Sequence, residues 1–163
     1  MARKAGYFFG LERRALTYFY SNNYFGHLPT AVLLAIATIF CLPFVIISIS
    51  GTFGLFYSRW SRETILIVLF LAGYITPHLL ILAEDRFHLA IVPFLAIFAA
   101  SFWIAGPAGE EGRRRNQPGF IRLLTTSVIV ISLLCNWGLE LWRDAGKLAL
   151  LFGLNGNMTF FPY

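Results

Sequence analysis

The chain has 163 residues, 58% hydrophobic and only 13% charged, with a formal net charge of +5 and a mean hydropathy of +0.68. A soluble domain carries about twice that share of charge, and a body this small has too little interior to hide so much apolar surface, so a water-soluble globular enzyme is excluded. The basic residues stand at the ends of apolar runs, where lipid phosphates meet them, which excludes a nucleic-acid partner.

The pattern predicts an all-α integral membrane protein. It forms a single membrane domain of four transmembrane helices plus an interfacial amphipathic N-terminal helix. Residues 1–27 alternate Arg3, Lys4, Glu12, Arg13 and Arg14 with Tyr7, Phe8, Phe9, Leu11 and Phe19, as a helix lying among headgroups does. Glu12, Arg13 and Arg14 interrupt any apolar core of a cleavable signal peptide, so none is expected.

The first span is 28–57. Leu28 to Ser58 contains no charged residue, Pro29 suits a first helical turn, and Pro43 is expected to kink the helix. So long a run should tilt, or end early near Gly51 and Gly54. Phe56, Tyr57 and Trp60 form an aromatic anchor, and Arg59 to Glu63 form a polar turn. The second span, 64–83, holds only His78 as a titratable group, with Pro77 beside it. Glu84-Asp85-Arg86 is the tightest loop.

The third span, 87–105, has His88 at its start and Pro93 in its first turns, and Gly106-Pro107 ends it. Residues 106–119 form a loop containing Arg113, Arg114 and Arg115. The fourth span, 120–139, places Arg122 where it can snorkel, and Trp137 and Trp142 mark the far interface. Residues 143–163 read as a surface tail, in which Asn157-Met158-Thr159 fits a glycosylation sequon. Cys41 and Cys135 lie in apolar runs and read as buried, inert thiols.

Four spans put both termini on one side. Basic residues then divide seven to six, which orients nothing. The interior loops are lopsided: the Arg59/Arg62 and Arg113–Arg115 loops are basic, whereas Glu84–Arg86 carries one Arg and two acids. The basic loops are therefore read as cytoplasmic and both termini as non-cytoplasmic, in the cytoplasmic membrane of a bacterium.

The chemistry-bearing cluster is His78, Glu84, Asp85, Arg86 and His88. It reads either as an ordinary solvated turn or as a site for an anionic lipid headgroup. In the second case the planar Arg86 fork suits phosphate oxygens, and Glu84 and Asp85 orient it or act as acid/base groups. Arg59, Arg62 and Arg113–Arg115 read as topogenic residues that also attract anionic lipid. No metal-ligand spacing, Ser/His/Asp arrangement or phosphate-binding glycine loop occurs, so no metal, no cofactor and no catalytic residue is assigned.

Two stretches together resemble a known family. Ala83-Glu84-Asp85-Arg86-Phe87-His88-Leu89-Ala90-Ile91-Val92-Pro93-Phe94-Leu95 resembles a segment of GT-C membrane glycosyltransferases that use polyprenyl-phosphate sugars. These include protein O-mannosyltransferases (the glycosyltransferase family 39 type) and the lipid A aminoarabinose transferase. In them an Arg-Phe/Tyr-His/Arg-Leu-Pro-x-x-Pro pattern opens a late transmembrane helix, with a His about two turns upstream. Arg86, Phe87, His88, Leu89 and Pro93 match and His78 stands upstream, whereas Ala90 replaces the first proline. The stretch Arg3 to Glu12, followed by Tyr18 to Pro29, is similar to the non-cytoplasmic segment before the later helices of those enzymes.

The resemblance implies glycosyl transfer from a polyprenyl-phosphate carrier at the outer face, with Arg86 helping to bind the carrier phosphate and a metal assisting in some relatives. The family's catalytic acidic residue lies in an early loop that this chain does not contain. The chain is therefore expected to correspond to a C-terminal part, inactive alone. The alternative is a small structural or accessory subunit of a larger membrane complex, whose partners are membrane lipids and other membrane subunits. A small transporter ranks third, because no acidic residue lies deep within a span.

Overall fold

The computed structural model describes residues 2–11, 28–58, 60–81, 85–105 and 120–152, with backbone alone at 2–4, 85, 86, 105 and 150. Among these residues every regular element is helical and no strand occurs. The elements are α1 (Ala2–Phe8), α2 (Thr30–Tyr57), α3 (Arg62–Leu80), a 3₁₀ helix (Asp85–Ala90), α4 (Val92–Ala105), α5 (Phe120–Arg143) and α6 (Ala145–Leu151). Three of them, α2, α3 and α5, are long and apolar enough to cross a membrane. Of the four expected spans, the third is divided. Its helical part, α4, has 14 residues, about 21 Å against a hydrocarbon core of about 30 Å.

Pro29 stands ahead of α2 with φ −59°, where its missing N–H leaves no bond unmade, and its carbonyl accepts from the Val32 and Leu33 N–H groups. The helix then runs 28 residues without interruption through Pro43, Gly51 and Gly54. It continues to Tyr57, the expected end of the span, and does not take the alternative of stopping at the glycines, which are where α4 touches it. A Cβ on Gly51 would stand 2.7 Å from the Leu95 carbonyl oxygen, and one on Gly54 would land on the Phe98 carbonyl. Helix backbones come this close only over small residues. Phe53, next to Gly54, stacks on Phe102, one turn beyond Phe98 on α4 (centroids 5.6 Å).

α3 begins at Arg62, two residues before the expected start, because the Ser61 hydroxyl accepts from the Thr64 N–H at 3.3 Å and caps it. It retains Pro77 and ends at Leu80, short of Ala83. α5 extends four residues past Leu139 to Arg143. The following stretch is not wholly a surface tail: α6 buries Leu151 against Leu33 of α2. Cys135 is exposed and Cys41 half-buried, so neither is the fully buried thiol expected; an outward-facing helix position needs no protein cover if lipid provides it.

Ring and backbone contacts set the directions. Along α2 and α4 the partner numbers rise together, from Gly51 and Leu95 to Gly54 and Phe98, so the two helices are parallel. α3 runs opposite: Phe70 meets Phe94, whereas His78, further on, meets the earlier Phe87. α5 and α6 also run opposite to α2, Trp137 lying beside Phe44 and Leu151 beside Leu33. Only 6–11% of each spanning stretch is buried within the chain. Large apolar side chains such as Ile39, Leu69, Ile104, Ile121 and Leu139 face outward.

Candidate functional site

The candidate cluster falls on the passage from α3 to α4. Asp85 and Arg86 open the 3₁₀ helix, described there by backbone alone. Glu84, Arg59 and Arg113–Arg115 lie outside the described residues, as do 12–27 of the expected interfacial segment and the Asn157 sequon. Arg62 is exposed at the start of α3 and takes no part in this cluster.

The two histidines come close to one residue between them. His78 stacks on Tyr74 (centroids 4.2 Å), and its Nδ1 lies 2.7 Å from the Tyr74 carbonyl oxygen one turn back. The Phe87 ring packs against His78 at 4.8 Å, and the Tyr74 hydroxyl donates to the Phe87 carbonyl at 3.2 Å. The upstream histidine is thus folded back onto the residue that follows Arg86.

His88 is fully buried and stacked on Phe44 of α2, with centroids 4.1 Å apart and planes 21° from parallel. Its Nδ1 lies 3.0 Å from the Phe8 carbonyl, eighty residues away in sequence. A carbonyl can only accept, so Nδ1 carries the proton and donates, and the neutral ring is the Nδ1–H tautomer. Phe8 is itself fully buried, edge-on to Phe9 and 6.4 Å from His78.

This bond is one of four that hold the end of α1. A helix leaves its last carbonyls without intrahelical donors. Here the Asn136 amide donates to the Gly6 carbonyl at 3.0 Å, and the Trp137 indole N–H donates to the Phe9 carbonyl at 2.7 Å. The Leu11 N–H donates to the Glu140 carboxylate at 2.9 Å. Three of the donors or acceptors come from one stretch of α5, where Asn136 and Glu140 lie one turn apart on one face. Arg143 adds its guanidinium over the Tyr7 ring at 5.6 Å.

Trp137, expected from sequence as an interface marker, is buried within the chain, 4% exposed, and its one N–H reaches an orphan carbonyl. Trp142, 82% exposed, keeps the outward position. Nothing in the sequence marks Tyr74 or Phe44, whereas Asn136 and Glu140 stand out as polar residues one turn apart near the end of an otherwise apolar span. Among the described residues no three His, Cys, Asp or Glu side chains gather as a metal ion requires.

The described part of the arrangement can hold two distant pieces of chain together and fix the backbone that carries Arg86. Comparison with family models, curated proteins and solved structures finds no match to the chain.

Proposed function

We propose that the chain is the C-terminal membrane segment of a lipid-linked-sugar glycosyltransferase, holding the phosphate of a polyprenyl-phosphate carrier near Arg86. The catalytic acidic group comes from elsewhere, and the segment is inactive alone. One observation carries this reading. The two stretches that resemble the family, around Phe8 and around Arg86 to Pro93, are pinned to each other by the His88–Phe8 bond. The upstream His78 closes against Phe87 in the same place.

The chain crosses the bilayer four times in this reading. α4 is short, yet it runs parallel to α2 and returns the chain to the end from which α5 starts. Both termini then share one side, taken here as the non-cytoplasmic side of a bacterial cytoplasmic membrane; the docking of residues 6–11 on the last turns of α5 supports the shared side. In place of an interfacial helix lying free, α1 is held against the bundle at its C-terminal end.

The test is lipid retention. The protein is purified in mild detergent from membranes, and bound polyprenyl phosphate is quantified by mass spectrometry of the lipid extract. Arg86→Ala should lower retention about tenfold or more, the worth of a hydrogen-bonded charge pair. Arg62→Ala, at the opposite end of α3, should leave it unchanged. Equal retention by both variants rejects the phosphate role.

A second reading, an accessory subunit of a larger membrane complex, is favoured by the outward apolar faces of every spanning helix. Stable co-purification with a large complex unrelated to sugar transfer would select it.

A further inference from the structure

We infer that the 3₁₀ helix between α3 and α4 lies below the membrane surface, and that the first half of α2 rises past it inside the bilayer, sheathed by lipid acyl chains. The inference rests on the membrane-spanning reading above and concerns depth, which that reading leaves open.

The argument begins with register. His88 stacks on Phe44, Gly51 meets Leu95 and Gly54 meets Phe98, so the 3₁₀ helix stands level with Phe44. Phe44 lies fourteen residues beyond Thr30, the first residue of α2, so about 21 Å of helix continues past the 3₁₀ helix. Were the membrane surface level with the 3₁₀ helix, that length would stand in water.

Its composition forbids this. Thr30 to Pro43 contains no charged residue. Val32, Leu34, Ile39, Phe40 and Leu42 are between 42% and 69% exposed within the chain. Among the described residues, α6 covers one flank, packing Leu151 and Phe152 against Leu33, Ile36 and Ala37. A helix apolar on its open side stays in hydrocarbon. Lipid therefore extends along α2 beyond the level of the 3₁₀ helix.

Polar, non-helical backbone at that depth survives only where its groups are met inside the protein. The described contacts meet that condition for four carbonyls. The carbonyls of Gly6, Phe8, Phe9 and Phe87 each take a side-chain donor, from Asn136, His88, Trp137 and Tyr74. These donors come from α5, the 3₁₀ helix and α3, which explains why polar residues appear in otherwise apolar segments.

The experiment places a bimane fluorophore at Ile39→Cys or, separately, Phe40→Cys, with Leu69→Cys on α3 as the mid-bilayer reference. All are made in a Cys41→Ala, Cys135→Ala background and reconstituted in phosphatidylcholine–phosphatidylglycerol vesicles. Nitroxide on the lipid acyl chains should remove most of the emission at both α2 positions, as at Leu69, and aqueous iodide should remove little. Quenching of Ile39 and Phe40 by iodide overturns the inference, since the start of α2 then projects into water. Protection from both quenchers also overturns it, since another part of the chain then covers the helix. If Leu69 escapes the acyl-chain nitroxide, the membrane-spanning reading itself fails. Polyprenyl-phosphate retention, read without labels, is decided independently of all these outcomes.

Discussion

Gly54 has no room for a side chain, whereas Gly73, one helix away, has nothing within 4 Å of where a Cβ would stand. The same residue type therefore answers to opposite rules at the two sites. Gly54→Val should force α2 and α4 apart and cost about 1–3 kcal/mol, the usual penalty of overpacking. Gly73→Ala should be neutral, or stabilise by up to about 1 kcal/mol through helix propensity. Unfolding in mixed micelles of increasing denaturing detergent measures both. Equal effects would mean that α2 and α4 do not meet at Gly54. The sequence displayed both glycines inside apolar runs and marked Gly54 only as a possible helix end, not as a contact. The difference lies in which neighbour passes by, and that neighbour is some forty residues away. His88 was legible as a residue of interest but not as a buried hydrogen-bond donor, because Phe8 is eighty residues off.

Among the elements, helix identity was readable because uninterrupted apolar runs of span length leave few alternatives. Helix ends were not. Ser61 caps α3 two residues early, and the third run divides into a 3₁₀ helix and α4 at Ile91. Hydropathy does not register either event, since capping and turn tightening depend on backbone bonds. The docking of α1 was equally hidden, for its partners belong to α5 and the 3₁₀ helix. It leads to a prediction for this pair of elements. Trp137→Phe keeps the ring beside Phe44 and removes only the N–H that meets the Phe9 carbonyl. The loss should be about 0.5–2 kcal/mol, small for a bond at membrane depth because the unfolded chain in lipid also finds partners. Limited proteolysis should then cut between α1 and α2 faster, while the mass of the α2–α5 fragment stays the same. An unchanged cleavage rate would show that this bond does not hold α1.

The whole molecule inverts the usual arrangement of a soluble domain. Among the described residues, Asn136, Trp137 and His88 turn their donors inward onto α1, whereas large apolar side chains such as Ile104, Ile121, Leu139 and Trp142 are turned outward. Were water the solvent, replacing an exposed leucine by lysine would be harmless, since surface changes are usually within about 0.5 kcal/mol. In lipid the same change at mid-span costs about 2.5–3.5 kcal/mol on insertion scales. Leu69 is 63% exposed and lies near the middle of α3, whereas Ile121, 77% exposed, is the second residue of α5. Leu69→Lys should therefore sharply lower the fraction of α3 integrated, read by alkaline extraction of membranes. Ile121→Lys should integrate normally, its ammonium reaching the headgroups as Arg122 next to it can. The pair separates depth from exposure, because the more exposed of the two positions is the one predicted to tolerate charge. Equal tolerance at both sites would remove the bilayer from around α3, and with it the depth argument for α2 and any carrier lipid near Arg86.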